Sequence, residues 1–285
     1  MALPEARKRD TCDRDRQIDV RATLIAVLVG LGLAAPASTA TPPTTKVPGE
    51  LRVALAMPSA GFQVGAVRGR EVVLAKGFEI DLARRLATRL GIARVTFVNE
   101  PLLSTILKAG PKDWDIALAE ISVTPARATR VDFSTPYLQA DQGVLVRRGL
   151  PTKPQSIVDL RRLQLCAERT STGAQLVVDT IRPARKPLLL ENPSKLSYEL
   201  FAERCDAIVF DAPALAVLRR QAPDRYGPLV GRIATSERYA AAFEKGSPLR
   251  PAVDAALAAL TSDGTIEQLR KRWLGTDTAT LPLLH

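Results

Sequence analysis

Histidine is almost absent from this chain of 285 residues, since the only one is His285. Cysteine is scarce as well, and Cys12, Cys166 and Cys205 do not have the spacing of metal ligands. A Ser-His-Asp or Cys-His catalytic set would have to use His285, at the last position of the sequence. We therefore expect no metal site, no cofactor and no catalytic residues of these types.

Aromatic residues make up only 5% of the chain, and 40 basic residues outnumber 30 acidic ones, which gives a formal net charge of +10. A strongly basic protein can bind nucleic acid. Here the basic residues are scattered over segments such as "RRLATR" and "LRKRW", and too few aromatic residues are present to stack on bases. The charge pattern favours solvated helix faces and no nucleic-acid partner.

Long apolar runs are also missing, apart from "ATLIAVLVGLGLAA" at residues 22–35. This run follows a basic flank, precedes the small residues "PASTA", and is too short to span a bilayer comfortably. The pattern predicts a signal peptide over residues 1–40, cleaved after Ala37 or Ala40, and hence a periplasmic protein. An uncleaved anchor is the alternative, and the long charged segment before the run suggests a true start near Val20.

The rest of the chain alternates between strand and helix patterns after a Pro/Thr-rich linker at residues 41–50. "LRVALAM", "ARVTFVNE" and "DIALAE" are typical of strands, and "FEIDLARRLATRLG" is typical of an amphipathic helix that ends at Gly91. The second half repeats the scheme with "LQLCAE", "KPLLLE" and "CDAIVFD". This alternation predicts two α/β lobes, each with a mostly parallel sheet flanked by helices.

One candidate binding residue lies just beyond the strand "DIALAE", in the stretch "ISVTPARATRVDFSTPY". Its Thr-Pro pair predicts the start of a short helix, which places Arg127 in the first turn, near the strand end. A cation there opposes the helix dipole, and a guanidinium matches a carboxylate in bidentate fashion. Arg127 is either such a carboxylate clamp or a surface arginine paired with Asp132 or Asp141.

Polar groups also follow two strands of the second half. Thr170, Ser171 and Thr172 precede a helix, where hydroxyls and backbone N–H groups either bind an anion or simply cap the helix. Asp211 ends a buried strand and either caps the next helix or presents a carboxylate to a cation. Together these groups predict a zwitterion receptor, with a carboxylate on Arg127 and Ser171, an ammonium on Asp211, and Ser122 between them.

A series of motifs runs from about Leu51 to Gly275: "LRVAL", "KGFEIDLARRLATRLG", "WDIAL", "SVTPARATRVDFSTPY", "CDAIVFDAPALA" and "TSDGTIEQLRKRWLG". In this order they resemble the bacterial extracellular solute-binding proteins of family 3, the polar amino-acid type that serves ABC transporters. The resemblance implies a type II periplasmic-binding-protein fold, an amino acid or analogue as ligand, and a membrane permease as partner. We expect a monomer, since no heptad pattern calls for a second copy.

The resemblance also implies two crossover strands, near residues 138–142 and 234–239, and a hinge that closes the lobes over ligand. It assigns the carboxylate to Arg127, hydrogen bonds to Ser122 and Ser171, and the ammonium to Asp211. The implied domains are a signal peptide at 1–40, a linker at 41–50, lobe 1 at 51–138 and 237–275, lobe 2 at 139–236, and a tail at 276–285.

The side-chain end of the pocket departs from the family pattern. Ser59 lies about where an aromatic residue often stacks on the ligand, and Phe62 follows in the same loop as a candidate contact. Glu120 and Glu100 would favour a polar or basic ligand side chain. Arg169, where the family has a glycine, would pair with a glutamate or recognise an acidic ligand, so the side-chain class stays open.

Two of the cysteines are candidates for a disulfide. Cys166 ends one strand pattern and Cys205 begins another, so a disulfide forms if the strands are neighbours in an oxidising compartment; two free thiols are the alternative.

The main function predicted is a non-enzymatic transport receptor. A cyclohexadienyl or arogenate dehydratase-like enzyme would need a general acid, for which Glu100 or Glu120 would serve, and a sensory receptor would act by docking.

Overall fold

The computed structural model describes residues 43–275 and 277–285. The predicted signal peptide at residues 1–40 lies outside the described residues. Across the described part of the chain, no helix combines the length and the apolar character that crossing a membrane requires. The end of the predicted linker is attached to the fold, because the backbone N–H of Lys46 donates to Oδ1 of Asp115 at 2.6 Å.

Lobe 1 is built on a seven-stranded sheet with the strand order β2-β3-β4-β1-β5-β12-β6. Strands β1, β4 and β5 run parallel at its centre, and the remaining strands are antiparallel to their neighbours. The strands are β1 (Glu50–Leu55), β2 (Val64–Arg68), β3 (Glu71–Lys76), β4 (Arg94–Asn99), β5 (Ile116–Ala117), β6 (Asp132–Phe133) and β12 (Ala242–Phe243).

The helices of lobe 1 come from both ends of the described chain. In the first helix, Phe78, Ile80, Leu82 and Leu86 are fully buried, as the apolar spacing predicts. The last two α-helices are separated at Asp263 and Gly264, and the segment "LLSTILKAG" contains only one helical turn. The helices are α1 (Phe78–Arg89), α2 (Leu103–Ile106), α3 (Pro125–Ala128), α8 (Arg250–Ser262) and α9 (Thr265–Trp273).

Lobe 2 is built on a five-stranded sheet with the order β11-β7-β10-β8-β9. Its parallel part is β10-β8-β9, and β7 and β11 are antiparallel additions, so both sheets are mixed. The strands are β7 (Leu138–Arg147), β8 (Leu165–Glu168), β9 (Leu188–Leu190), β10 (Ala207–Asp211) and β11 (Tyr226–Tyr239); the helices are α4 (Ile157–Leu160), α5 (Thr172–Leu176) with a π-helical turn (Val177–Ile181), α6 (Pro193–Phe201) and α7 (Ala212–Gln221).

The two lobes are joined where β7 and β11 pair in antiparallel fashion. Leu138 faces Tyr239 in this ladder, and Ala140 faces Glu237. These positions lie within the two crossover segments expected from the sequence. The end of β11 also bonds to lobe 1, because the backbone N–H of Val123 donates to the carbonyl of Arg238 at 2.9 Å.

The segment after α9, predicted as a tail, docks on lobe 2. Leu283 forms a parallel bridge with Arg232 of β11, and Leu284 is only 3% exposed in the lobe 2 core. The carbonyl of His285 accepts a hydrogen bond from the backbone N–H of Ile157 at 2.9 Å. The chain therefore passes between the lobes a third time, after β7 and β11.

A disulfide joins Cys166 in β8 to Cys205, just before β10, with their Cα atoms 6.0 Å apart. The predicted neighbouring strands are found, because Cys166 lies beside Ile208 in the parallel β8-β10 pair. The bond fixes the two strands whose carboxyl ends carry Glu168 and Asp211.

Candidate functional site

A narrow pocket lies between the lobes, beyond the carboxyl ends of β5, β8 and β10. This is the position at which open parallel sheets bind ligands. Its polar side chains come from both lobes, and among the described residues that line it Arg127 is the only basic one. The lining residues are Ala56, Leu103, Ala119, Glu120, Ser122 and Arg127 from lobe 1, and Glu168, Ser171, Thr172, Pro193, Phe210 and Asp211 from lobe 2.

Arg127 reaches across the pocket from lobe 1. Thr124 caps α3 by accepting the backbone N–H of Arg127 at 3.2 Å, as its sequence position predicts. The guanidinium donates to the carbonyl of Ser122 at 2.9 Å and to the carbonyl of Thr170 in lobe 2 at 3.1 Å. Because a guanidinium carries five N–H donors, others stay available to a ligand.

The surface pairing considered for Arg127 is not formed. Asp132 pairs with Lys245, and Asp141 pairs with Arg232, so neither partners Arg127. Within the part of the chain that the structure describes, Arg127 forms no ion pair with a carboxylate. Burial lowers the pKa of Arg127, an effect that the nearby carboxylates of Asp211 and Glu237 oppose. A half-buried guanidinium of this kind, without a carboxylate partner, is suited to a carboxylate from outside the protein.

The hydroxyl groups at the start of α5 have separate roles. The Ser171 hydroxyl accepts the backbone N–H of Ala174 at 3.0 Å and donates to the carbonyl of Glu168 at 2.8 Å. Capping therefore occupies the Ser171 side chain. Thr170 contributes its carbonyl to Arg127, and Thr172, which also lines the pocket, donates its hydroxyl to Glu237 at 2.6 Å.

Asp211 presents its carboxylate to the pocket instead of capping α7, where it makes no side-chain cap bond. Its Oδ1 accepts from Nε2 of Gln142 at 2.5 Å. Burial raises the pKa of Asp211 to about 7, and the negative charge of Glu237 acts in the same direction. An ammonium group bound here would pair with the carboxylate and offset the cost of burying its negative charge.

Gly173 in α5 allows Gln142 to hold Asp211. A Cβ atom at Gly173 would lie 2.5 Å from Oε1 of Gln142, closer than such atoms approach. The missing side chain lets Gln142 lie beneath α5, from where it donates to both Asp211 and Glu237.

Glu120 has an unusual backbone conformation, three residues beyond the end of β5 in lobe 1. Its φ angle is 50°, in the left-handed region that few residues with a side chain adopt. Its N–H donates to Oε1 of Glu79 at 2.8 Å, and Glu79 is itself fully buried in α1. Burial raises the pKa of Glu120 well above its usual range, and the charges of Glu79 and Asp211 add to the effect.

Glu168 is a pocket residue that the sequence reasoning missed. It ends β8 in lobe 2, is 6% exposed, and lines the pocket with Glu120 and Asp211. Burial raises its pKa to about 8, with a further contribution from the charge of Asp211. Its position as the last residue of a buried strand was the available signal, and it is the same signal that identified Asp211.

Glu237 on β11 is a second missed residue. Its carboxylate accepts hydrogen bonds from the hydroxyl of Ser122 in lobe 1, from Thr172 in lobe 2 at 2.6 Å, and from Gln142 at 2.9 Å. It therefore connects the lobes directly behind the pocket. The strand pattern around it is exposed and polar, so nothing in the sequence distinguished this glutamate from a surface residue.

Three predicted ligand contacts lie elsewhere. Phe62 is 0% exposed in the core, with its ring centroid 5.8 Å from that of Phe78. Glu100 pairs with Arg70 at the surface of lobe 1. Arg169 is exposed and pairs with Glu191 at 2.7 Å, which directs it away from the pocket. Phe62 packs in the core, and Glu100 and Arg169 form ion pairs outside the pocket. The spacing of these residues in the sequence did not indicate these contacts.

The fold and the site define a class of protein. Solved structures matched over most of this chain are ligand-binding proteins with two lobes, of the type II periplasmic-binding-protein fold. The family model of the bacterial extracellular solute-binding proteins, family 3, matches residues 60–276, and the chain belongs to this family.

Individual relatives agree with this assignment. The ABC transporter glutamine-binding protein of Bacillus subtilis is 30% identical over 211 residues, which cover 72% of this chain and 74% of the relative. An ancestral arginine-binding protein bound to arginine is 29% identical with a TM-score of 0.69, covering 79% of this chain and 98% of that one. An ancestral amino acid-binding protein, a precursor of cyclohexadienyl dehydratase, is 30% identical with a TM-score of 0.68, covering 79% and 95% of the two chains.

Proposed function

We propose that this protein is the substrate-binding component of an amino-acid ABC transporter. The observation that carries the proposal is Arg127, which lies half-buried in the pocket between the lobes, with Asp211 in the same pocket and no carboxylate partner among the described residues. A cation and an anion on facing walls match the two ends of a free amino acid. Membership of family 3 and the glutamine- and arginine-binding relatives support the same function.

The amino acid binds with its α-carboxylate on the guanidinium of Arg127 and its α-ammonium on Asp211. Ser122 and Thr172 line the same pocket; since their hydroxyl groups donate to Glu237, their oxygen atoms are left to accept from the ammonium of the ligand. The hydroxyl of Ser171 caps α5 and its backbone N–H donates to the carbonyl of Glu168 at 3.0 Å, so Ser171 lines the pocket without a free donor for the ligand. Charge-assisted hydrogen bonds at both ends of the ligand provide affinity without any bond being made or broken.

Ligand exchange requires the lobes to separate, because the pocket walls come from both of them. The domains proposed are residues 51–138 with 237–275, and residues 139–236, moving about the paired crossover strands β7 and β11. The protein acts as a monomer that hands its ligand to a membrane permease. We assign it to the periplasm, where the predicted signal peptide would deliver it.

Calorimetric titration tests this function. The purified protein is unfolded and refolded to remove carried-over ligand, and is then titrated with each standard amino acid, ornithine and citrulline. We expect a subset to bind, and Arg127→Ala and Asp211→Ala each to weaken binding by about 100-fold, since each removes a charged partner.

Arg130→Ala provides the matched control, since Arg130 lies on the exposed surface just after α3. It should leave binding unchanged. Absence of heat with every amino acid, from a protein shown to be folded by circular dichroism, would contradict the proposal.

A cleft enzyme is the second candidate, and two observations favour keeping it. Glu120 and Glu168 have raised pKa values in the cleft, as a general acid requires. One structural relative is a precursor of cyclohexadienyl dehydratase. Incubation with prephenate or arogenate distinguishes the two functions, because formation of product would establish catalysis and its absence is expected for a transport receptor.

A further inference from the structure

The pocket contains more carboxyl groups than the α-groups of an amino acid can pair with. Once Arg127 has met the ligand carboxylate and Asp211 the ammonium, Glu120 and Glu168 still line the same pocket. Oε2 of Glu120 is buried and has no hydrogen-bond partner within residues 43–275 and 277–285. Glu168, on the opposite lobe, is 6% exposed, and its carboxylate accepts no hydrogen bond from the described residues.

Burying a carboxylate without a partner is costly, and burying two is costlier still. A ligand with an uncharged side chain would close the pocket over both groups and leave the cost in place. A ligand that carries a second cation would neutralise one carboxylate or bridge both. The protein itself supplies no such cation, since no lysine and no other arginine of the described residues lines the pocket.

We propose that Glu120 and Glu168 form the side-chain end of the binding site and select amino acids whose side chain is positively charged. This inference rests on the proposed function, because it takes the α-groups to be held by Arg127 and Asp211. One carboxylate comes from each lobe, so a cationic side chain lies between them only when the lobes are together. Recognition of the side chain is thereby coupled to closure.

Other occupants fit the pocket less well. An acidic ligand would need Arg169, which is engaged by Glu191 and by the carbonyl of Leu189 at 2.8 Å. For a metal ion, no group of three or more acidic, histidine or cysteine side chains in the described residues has a suitable arrangement. A diamine without a carboxylate would leave Arg127 unpaired. An amino acid with a guanidinium or ammonium on its side chain can pair with Arg127, with Asp211 and with the two glutamates of the pocket.

Pairs of ligands that differ only in charge test the inference. Arginine and citrulline have nearly the same shape, and so do lysine and norleucine, but only the first of each pair is cationic. Calorimetry on the full protein, stripped of ligand, should show arginine binding at least about 30-fold more tightly than citrulline, because a buried charge pair is worth more than the 1.4 kcal/mol of a tenfold difference.

Substitutions then assign the preference to residues. Glu120→Gln and Glu168→Gln keep the side-chain shape, and each should lower the arginine-to-citrulline ratio by roughly tenfold, mainly by weakening arginine. Glu100→Gln is the matched control, since Glu100 is a glutamate of lobe 1 that pairs with Arg70 outside the pocket. It should keep the wild-type ratio.

The outcomes separate the two levels of the proposal. Equal affinity for arginine and citrulline in the wild-type protein overturns the side-chain inference and leaves the amino-acid receptor intact. Binding of no amino acid at all overturns the receptor itself. Since the wild-type ratio requires no variant, a failure of the substituted proteins to fold does not remove the test.

Discussion

Glu168 illustrates how a single residue links binding to stability. Its carboxyl has a pKa of about 8 in the folded protein, against 4.5 as the reference for an unfolded chain. Between these values the folded state holds a proton that the unfolded state releases, so unfolding becomes easier as the pH rises. The ligand-free protein therefore contains a destabilising group that a cationic ligand would relieve.

The thermal stability of the protein should therefore depend on pH through Glu168. Between about pH 4.5 and pH 8, Glu168→Gln should lose less thermal stability than the wild type, by roughly 3–6 °C in melting temperature. Differential scanning calorimetry across this range measures the difference. Parallel curves for the two proteins would show that Glu168 does not take up a proton on folding.

The control is Glu267→Gln on α9. Arg270 holds the pKa of Glu267 at about 2 in the folded protein, so above about pH 5.5 this carboxylate is ionised in both the folded and the unfolded state. Above that pH, its removal should shift the melting temperature by the same amount at every pH.

Among individual residues, the sequence supported prediction wherever chemistry and strand position coincided. Arg127 and Asp211 follow strand ends and lie in the pocket together. Glu168 was overlooked because a glutamate at the end of an apolar strand has no motif of its own. The comparison with the family pattern assigned Phe62, Glu100 and Arg169 to the site, whereas packing and ion pairs with other residues determine where they lie.

At the scale of elements, β11 is more than a passive connection. Its Glu237 receives hydrogen bonds from Ser122 on one lobe and Thr172 on the other, so the strand carries a polar link across the pocket. Hydrogen bonds to a charged group are stronger than neutral ones. The link favours the arrangement in which the lobes are together.

Removing the link should shift the free protein towards an open form. Glu237→Ala is expected to raise the radius of gyration of the ligand-free protein and to weaken ligand binding by about tenfold, because part of the binding energy then serves to close the lobes. Small-angle scattering with and without ligand measures the first effect, and calorimetry the second.

Glu244→Ala controls for the loss of a charge. Glu244 lies on lobe 1 just after β12 and pairs with Lys46, remote from the pocket. Its removal should leave the scattering unchanged. An unchanged radius for Glu237→Ala would mean that packing alone sets the position of the lobes.

The elements themselves were largely predictable. The helix α1 and the pair α8 and α9 follow from apolar spacing and from glycines at their ends. The hairpin β2-β3 was not predicted, because its outward side chains include the apolar Val67 and Leu74, 45% and 84% exposed, which blur the alternation. The antiparallel strands at the sheet edges depend on tertiary pairing, which a local pattern does not specify.

At the scale of the whole molecule, the chain connects its lobes through β7, through β11 and through the segment after α9. The last connection ends with Leu284, which fills a place in the lobe 2 core although α9 belongs to lobe 1. The sequence showed two lobes through its repeated alternation. It did not show this docking, since a short apolar segment such as "LPLLH" has no period to interpret.

The docked segment should contribute measurably to stability. Leu284→Ala is expected to lower the free energy of unfolding by about 2–4 kcal/mol, the usual cost of removing a buried leucine side chain. Denaturant titration measures the change. Leu74→Ala, at a leucine that is 84% exposed, is the matched control and should alter stability little. Equal stability of both variants would show that the segment is not held in the core.

The disulfide has a consequence for where a working receptor can be made. It links β8, which ends in Glu168, to the residue just before β10, which ends in Asp211. A covalent bond therefore holds together the two strands that carry these pocket carboxyl groups. Closing a loop of 39 residues restricts the unfolded chain by roughly 4 kcal/mol. A reducing cytosol prevents this bond, whereas an oxidising compartment allows it. Material produced in the cytosol would thus carry the correct sequence with a looser pocket, and its selectivity would change on oxidation alone.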